Sequence, residues 1–352
     1  MNADFYRVIG ASLEERRGLF LATANRLGTP LQNVEKDFWV CYVLDLLFNG
    51  REAGEPRLLF KGGTSLSKAY GLISRFSEDI DITVFREDIG QDIEVGDLEG
   101  LSGKQQRVRL DAIKQACRNY VQGQLKDRLN GQIEAHFRAA KIAFAAPPVV
   151  QDHDDPDQQT LLLHYPSVIP GADDYVKPSV KIEAGARSAL DPHRSTSIEP
   201  YVAGDMAASN FIVLGVVTID AERTLWDKVV ILHGLRRWHD SRGVLRQNGH
   251  RVSRHYYDIH KLFHSSLGQG ALSDRALAAD CTRHALMFFN SPDLDLRHAQ
   301  PGSYTIMPAP EMLDALKRDY QAMAGMIFGD VPDFTEILET VRQLELIIND
   351  AP

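Results

Sequence analysis

The chain has 352 residues, 44% hydrophobic and 25% charged, which describes an ordinary globular protein long enough for one enlarged domain or two intimate ones. Its 39 basic and 48 acidic side chains leave a net charge of −9, which argues against a generally basic nucleic-acid coat and allows only a local basic patch. Cys41, Cys117 and Cys281 stand far apart with no CxxC among them, so they form neither a zinc pattern nor a disulfide framework and suit a reducing compartment. The opening stretch is charged and lacks a signal-peptide h-region, and no apolar run approaches the roughly 20 residues that span a bilayer. A cytoplasmic, enzyme-sized protein without a membrane partner is expected.

In chain order, residues 12–27 read as a helix opened by Ser12, with Glu15 three positions on completing a capping box. Residues 34–48 make a second helix with a broad apolar face, closed by Asn49-Gly50. Leu58–Phe60 is a short strand, 64–73 a short helix, and 79–85 (DIDITVF) a strand that alternates carboxylate and apolar side chains. The acidic, glycine-containing stretch from Asp88 to Gly103 fits a loop, and a long helix from Lys104 to about Leu129 is expected to break at Asn130-Gly131. Residues 147–159, rich in proline and aspartate, read as solvated surface. Leu161–Tyr165 and Val180–Ala184 suggest an antiparallel strand pair, and Phe211–Val217 a further strand. From Ile219 onward the pattern is almost wholly helical, which places a boundary near residue 215 between a mixed α/β half and a helical half.

The most chemically informative stretch is Lys61-Gly62-Gly63-Thr64-Ser65 followed by Asp79-Ile80-Asp81-Ile82. Residues i and i+2 of a strand share a face, so Asp79 and Asp81 would emerge together, roughly 6–7 Å apart along the backbone, with Ile80, Ile82 and Val84 facing the interior. Two carboxylates on one face repel unless a cation or a basic residue lies between them, and such a pair suits hard divalent cations. The glycine turn offers backbone N–H groups to phosphate oxygens, although it is not a Walker A loop because no G-x-x-x-x-G-K-[ST] occurs. Metal and phosphate on one platform is the equipment of phosphoryl or nucleotidyl transfer. A solvated strand edge and a plain strand-to-helix connection are the alternative readings of the two features. Ser65 and Ser67 have no adjacent histidine, so acyl transfer is not indicated.

The segment LLFKGGTSLSKAYGLISRFSEDIDITVF, residues 58–85, resembles the first motif of the AbiEii/AbiGii-type nucleotidyltransferase toxins, a branch of the polymerase-β-like nucleotidyltransferase superfamily. Glu35-Lys36-Asp37 stands where that family often carries EKD. Glu222-Arg223-Thr224-Leu225-Trp226-Asp227-Lys228 resembles its ERTxxEK helix, with Asp227 in place of the more usual glutamate, and Arg254-His255-Tyr256-Tyr257-Asp258 its RHYYD motif. The resemblance covers residues 34 to about 263 and leaves the last ninety without specific support. It implies an α/β (α+β) fold: a polymerase-β-like core with a small mixed sheet over residues 1–215 and a helical domain, 216–352, that completes the active-site cleft. It implies Mg²⁺ or Mn²⁺ on Asp79 and Asp81, an NTP substrate held by Lys61, Gly62, Gly63, Thr64, Ser65, Thr224 and Lys228, and an active-site role for Asp258, either orienting Lys228 or helping to activate the acceptor. An RNA acceptor, the 3′ end of tRNA, and a cognate antitoxin are the expected partners.

A third metal carboxylate is less determined. Glu183 lies on a predicted strand with Lys181 on the same face, so it reads equally as a ligand or as half of a Lys–Glu pair; Asp173 and Asp174 are further acidic candidates in a turn-like loop. Asp258 has Arg254 four residues earlier as an alternative partner. Residues 233–255 form a basic island of six arginines, four histidines and one aspartate, with Trp238 as a stacking surface. That island suits RNA or nucleotide phosphates, or is a charged loop between helices. Its histidines lack metal-ligand spacing. A small hydroxylated acceptor, a protein side chain, and a non-catalytic nucleotide- or RNA-binding module remain the rival readings.

Overall fold

Local sequence explains the first three helices. In the computed structural model, which describes residues 2–77, 79–144, 146–169, 178–206 and 209–350, α1 (Ala3–Ile9) is capped by the Asn2 side chain and α2 (Leu13–Leu27) by the reciprocal Ser12/Glu15 box, ending on Gly28 in the left-handed region. Helix α3 (Leu31–Phe48) goes further than an amphipathic reading allows, because every residue from Asn33 to Leu47 is buried. Phe38, Trp39 and Tyr42 meet Phe5, Phe20 and Phe211 in one aromatic cluster. A helix buried all round must also bury its polar residues, and Glu35, Lys36, Asp37 and Asp45 are all inside.

The chain then enters a seven-stranded mixed sheet of order β3-β4-β5-β2-β1-β7-β6. Its strands are β1 (Leu58–Lys61), β2 (Asp79–Val84), β3 (Val149–Gln151), β4 (Thr160–His164), β5 (Ser179–Gly185), β6 (His193–Ile198) and β7 (Val213–Ile219). β1 is antiparallel to β2 and parallel to β7, β2 runs parallel to β5, and β5, β4 and β3 are successively antiparallel. The expected β4–β5 hairpin pair and the alternation in β2 are present. β6 was not legible: its sequence HRSTSI is polar, as an outer strand tolerates.

Four expectations are corrected. The helix after the glycine turn, α4, is shorter than 64–73; it spans Gly62–Lys68, and Gly71 in the left-handed region (φ +62°) prevents its continuation. A five-residue helix, α5 (Val95–Glu99), punctuates the acidic loop. The long helix α6 (Gly103–Tyr120) passes through a π turn into α7 (Lys126–Ala139) without stopping at Asn130-Gly131. Asn130 does not act as a stop because its side-chain amide serves β3 instead, donating to the Val149 carbonyl at 2.9 Å and accepting from the Val149 N–H at 2.8 Å. The acidic stretch 147–159 is not simply solvated surface. It contains β3 and then folds back through side-chain turns: Asp155 accepts from the Gln159 N–H and the Thr160 hydroxyl, and Asp152 is only 7% exposed. Asp173 and Asp174 lie outside the described residues.

The chain divides into two units. One comprises Met1–Ala69, Phe76–Ile93 and Arg107–Thr218, and carries the sheet; the other comprises Tyr70–Arg75, Glu94–Gln106 and Ile219–Pro352. The second is helical: α8 (Ala221–Arg242), α9 (Ser253–Phe263), α10 (Ser266–Ala271), α11 (Arg275–Phe288), α12 (Leu313–Ala324) and α13 (Phe334–Asp350). Trp226 on α8 is fully buried and donates from its indole N–H to the Ala271 carbonyl at 3.0 Å. The short segment 70–75 is sewn into this unit by the Tyr70 hydroxyl donating to the Ile219 carbonyl, by a bridge between Arg75 and Ile327, and by the Phe328 N–H donating to the Ser74 carbonyl at 2.7 Å.

Candidate active site

In the sheet unit, β2 is the centre of the site. Ile80 and Ile82 are fully buried while Asp79 and Asp81 alternate with them on the other face, as period-two patterning requires. Lys61 at the end of β1 lies opposite Asp81, and the parallel register with β5 places Lys181 beside Asp79 and Glu183 beside Asp81. Five charged residues on three adjacent strands therefore share one patch. Immediately after β1, Gly62 takes φ +79°, and a Cβ there would stand 2.8 Å from the Asp81 Cγ. Only glycine lets the turn backbone lie against that carboxylate.

Thr64 and Ser65 are fully buried and their hydroxyls are committed within the fold. Thr64 donates to the Asp79 carbonyl and lies 2.8 Å from the Ser77 hydroxyl; Ser65 donates to the Gly62 carbonyl at 2.9 Å. What Gly62, Gly63, Thr64 and Ser65 can offer a phosphate is thus their backbone, not these hydroxyls. The turn is anchored from behind. At the end of α4, Lys68 is buried and pairs with Asp37 of α3 at 2.6 Å, with the Tyr201 ring beneath its ammonium at 3.9 Å. Burial works against the Lys68 charge, but Asp37 and its neighbours more than offset that and hold the ammonium's pKa above its usual value. Asp37 also accepts from the Tyr201 N–H at 2.7 Å.

Glu183 pairs with Lys181 at 2.8 Å, and Lys181 also lies 3.6 Å from Asp152. Lys181, Glu183, Asp154, Asp155, Asp157 and Gln159 line part of a pocket of about 350 Å³. Among the described residues no group of three or more His, Cys, Asp or Glu side chains is gathered closely enough to hold an ion unaided. The donor set still fits a hard cation of the Mg²⁺ or Mn²⁺ kind: Asp79 and Asp81 are oxygen donors on one strand face, and such ions commonly take one or two carboxylates and complete their shell with water and substrate phosphate.

The helical unit builds a second charged centre. Asp258 on α9 is fully buried and receives a forked pair from Arg75, Nε to Oδ1 at 2.7 Å and a terminal nitrogen to Oδ2 at 2.9 Å, while the Lys228 Nζ of α8 reaches Oδ2 at 2.9 Å. Burial alone would raise the Asp258 pKa; Arg75 and Lys228 more than reverse that and hold the carboxyl well below the usual range. The same burial, with Arg75 and Arg254 nearby, lowers the Lys228 pKa despite its bond to Asp258. The sequence suggested Arg254 as the partner of Asp258; the geometry gives Arg75 and Lys228. Arg75 was missed, although it sits inside the RFSEDIDI motif, because nothing in the local pattern says what a residue 183 positions away will meet. Thr224, one helical turn before Lys228, donates to the Asp220 carbonyl at 3.2 Å.

Three of the six arginines of the basic island are paired within its own unit. Arg236 pairs with Asp240, Arg237 with Asp295 at 2.8 Å and Arg242 with Asp293 at 2.6 Å, while Arg242 and Arg246 both lie 5.5 Å from the Trp238 ring centroid.

Paired carboxylates on a mixed sheet, with a glycine turn laid against one of them, are the equipment of a phosphoryl- or nucleotidyl-transfer enzyme. The chain belongs to the nucleotidyl transferase AbiEii toxin family of type IV toxin–antitoxin systems, whose pattern its sequence matches over residues 45–340. It is also similar in structure to MenT4, a nucleotidyltransferase toxin from Mycobacterium tuberculosis H37Rv, with 15% identity, a TM-score of 0.43, and coverage of 94% of this chain and 97% of that one. A search of the curated proteins finds no match. No helix among the described residues is long and apolar enough to cross a membrane.

Proposed function

We propose that the protein is a metal-dependent nucleotidyltransferase that moves NMP from an NTP to a hydroxyl of an RNA acceptor, the 3′ end of tRNA. The observation that carries this reading is the register of β2, which puts Asp79 and Asp81 on one face beside the Gly62 turn and opposite Glu183. In the reaction the acceptor hydroxyl oxygen loses its proton to solvent and forms a bond to the α-phosphorus, the bond from that phosphorus to the α–β bridging oxygen breaks, and pyrophosphate leaves. A Mg²⁺ or Mn²⁺ ion held by Asp79 and Asp81 would neutralise phosphate charge and favour the deprotonated attacking oxygen. Lys61 and the backbone of Gly62, Gly63, Thr64 and Ser65 are assigned to the triphosphate, and Glu183 to the metal.

Thr224 and Lys228 are assigned to nucleotide phosphates on the pattern of the family. An ammonium carries three donors, so Lys228 keeps two for a phosphate while the third is held by Asp258. Asp258 is thereby the residue that orients Lys228. A cognate antitoxin, expected of a type IV toxin, is the proposed protein partner, and the reducing cytoplasm the proposed setting.

The partial neutralisation of the basic island supports a second reading of the acceptor. Arginines already paired with Asp240, Asp293 and Asp295 offer less charge to an RNA backbone, which leaves a small hydroxylated molecule or a protein side chain as the alternative. Incubation with each of the four labelled NTPs, together with total cellular RNA, cell protein and the small-molecule fraction, separates these acceptors by where label appears. Asp81→Ala should abolish transfer and growth inhibition together. Transfer that survives Asp81→Ala sinks the mechanism, and nucleotide binding with no transfer to any fraction favours a binding module.

A further inference from the structure

We infer that Lys181 is a built-in counter-cation of the carboxylate patch, whose ammonium competes with the divalent ion for Glu183. The inference rests on the proposed metal reading and concerns how the site is loaded. Lys181 and Glu183 stand two apart on β5, project to one face and meet at 2.8 Å. The folded-back acidic turn brings Asp152 to 3.6 Å from the same ammonium, and the parallel register sets Lys181 beside Asp79. One lysine therefore has three carboxylates around it, Glu183 on its own strand and Asp152 and Asp79 on neighbouring segments, with Asp81 in register with Glu183.

Carboxylates so placed repel one another when no cation is bound, and a positive charge among them offsets that repulsion. The same charge opposes a second cation. For Glu183 to serve a metal it must release Lys181, and the lysine has somewhere to go: its side chain is 34% exposed, and Asp152, itself nearly buried, already faces it. A patch guarded in this way binds a bare divalent ion weakly and gains most when the ion arrives with the negative charge of a triphosphate. Loading of metal and of nucleotide are then coupled, with Lys181 setting the threshold.

The test is a Mn²⁺ titration of the full chain without nucleotide, followed by the EPR signal of the free ion. Lys181→Met, which removes the charge but keeps the length, should bind Mn²⁺ at least about tenfold more tightly than the unaltered protein, and Lys181→Arg should stay close to it. An affinity for Lys181→Met that is unchanged or weaker overturns the inference. A second measurement needs no variant: amine-reactive labelling of Lys181, quantified by mass spectrometry, should rise when Mn²⁺ is added, and a constant or falling yield counts against the proposal. Asp81→Asn separates this idea from the reading beneath it. If Asp81→Asn binds Mn²⁺ as the unaltered protein does, the metal site itself is misassigned; if it loses binding while Lys181→Met changes nothing, only the role of Lys181 fails.

Discussion

A single missing side chain shapes the patch. Gly62 combines φ +79° with an approach to Asp81 that places a notional Cβ 2.8 Å from Cγ and 3.0 Å from Cβ of the aspartate. An alanine there must strain the backbone and push the carboxylate aside at once. Displacement of a reacting group by about 1 Å typically costs on the order of 100-fold in rate. Gly62→Ala should therefore lose at least that much transferase activity while its circular dichroism changes little and its unfolding midpoint falls by only a few degrees. Gly63 makes a fair control because it takes an ordinary helical backbone, and Gly63→Ala should retain the larger share of activity. Equal losses in both would show that the approach to Asp81 is not what matters.

At the scale of elements, the glycine turn is only as well placed as α4, and α4 is held by the buried Lys68–Asp37 pair. Removing one partner of such a pair leaves an uncompensated buried charge and costs about 3–5 kcal/mol, whereas replacing both with apolar groups of similar size is often neutral. Asp37→Asn should lower the unfolding midpoint by on the order of 10 °C. The double change Asp37→Leu with Lys68→Met should recover most of that stability. A double variant as unstable as the single one would show that the Asp37 contact to the Tyr201 N–H, rather than the ion pair, is the stabilising link.

The same element shows what the sequence could and could not say. The carboxylate alternation of β2, the Ser12 cap and the β4–β5 pair follow from short-range patterns and were legible. The partnership of Asp37 with Lys68 was not, because α3 is buried on every side and gives no periodic stripe from which to read a contact 31 positions away. Asp152 was read as solvent-facing because a proline- and aspartate-rich segment usually is; Lys181 and the backbone of its own turn make burial tolerable. Of the candidate residues, Glu183 and Lys181 were placed on one face by period two, but only the register of β2 on β5 shows which aspartate stands beside each.

For the whole molecule, two buried groups of the helical unit, Asp258 and His255, respond to different ranges of pH, and the sign of each follows from its direction of shift. Asp258 titrates below the usual carboxylate range when folded, so its contribution is complete above about pH 4, the unfolded value, and is lost as pH falls through the folded one. His255 behaves differently. Burial first, then the charges of Lys228, Arg254 and Arg75 against the single carboxylate of Asp258, hold its pKa well below that of a free imidazole. The unfolded chain then binds a proton that the folded one refuses, and stability declines as pH drops below about 6.5. His233 and His260 in the same unit, shifted downward as well, add to this slope. Between pH 7 and pH 5 the histidines titrate while Asp258 does not, so that window separates them from Asp258. Unfolding midpoints measured across it should fall for the unaltered protein and fall less steeply for His255→Gln. Parallel slopes would show that His255 accepts its proton in the folded state, and that the cations around Asp258 do not reach it.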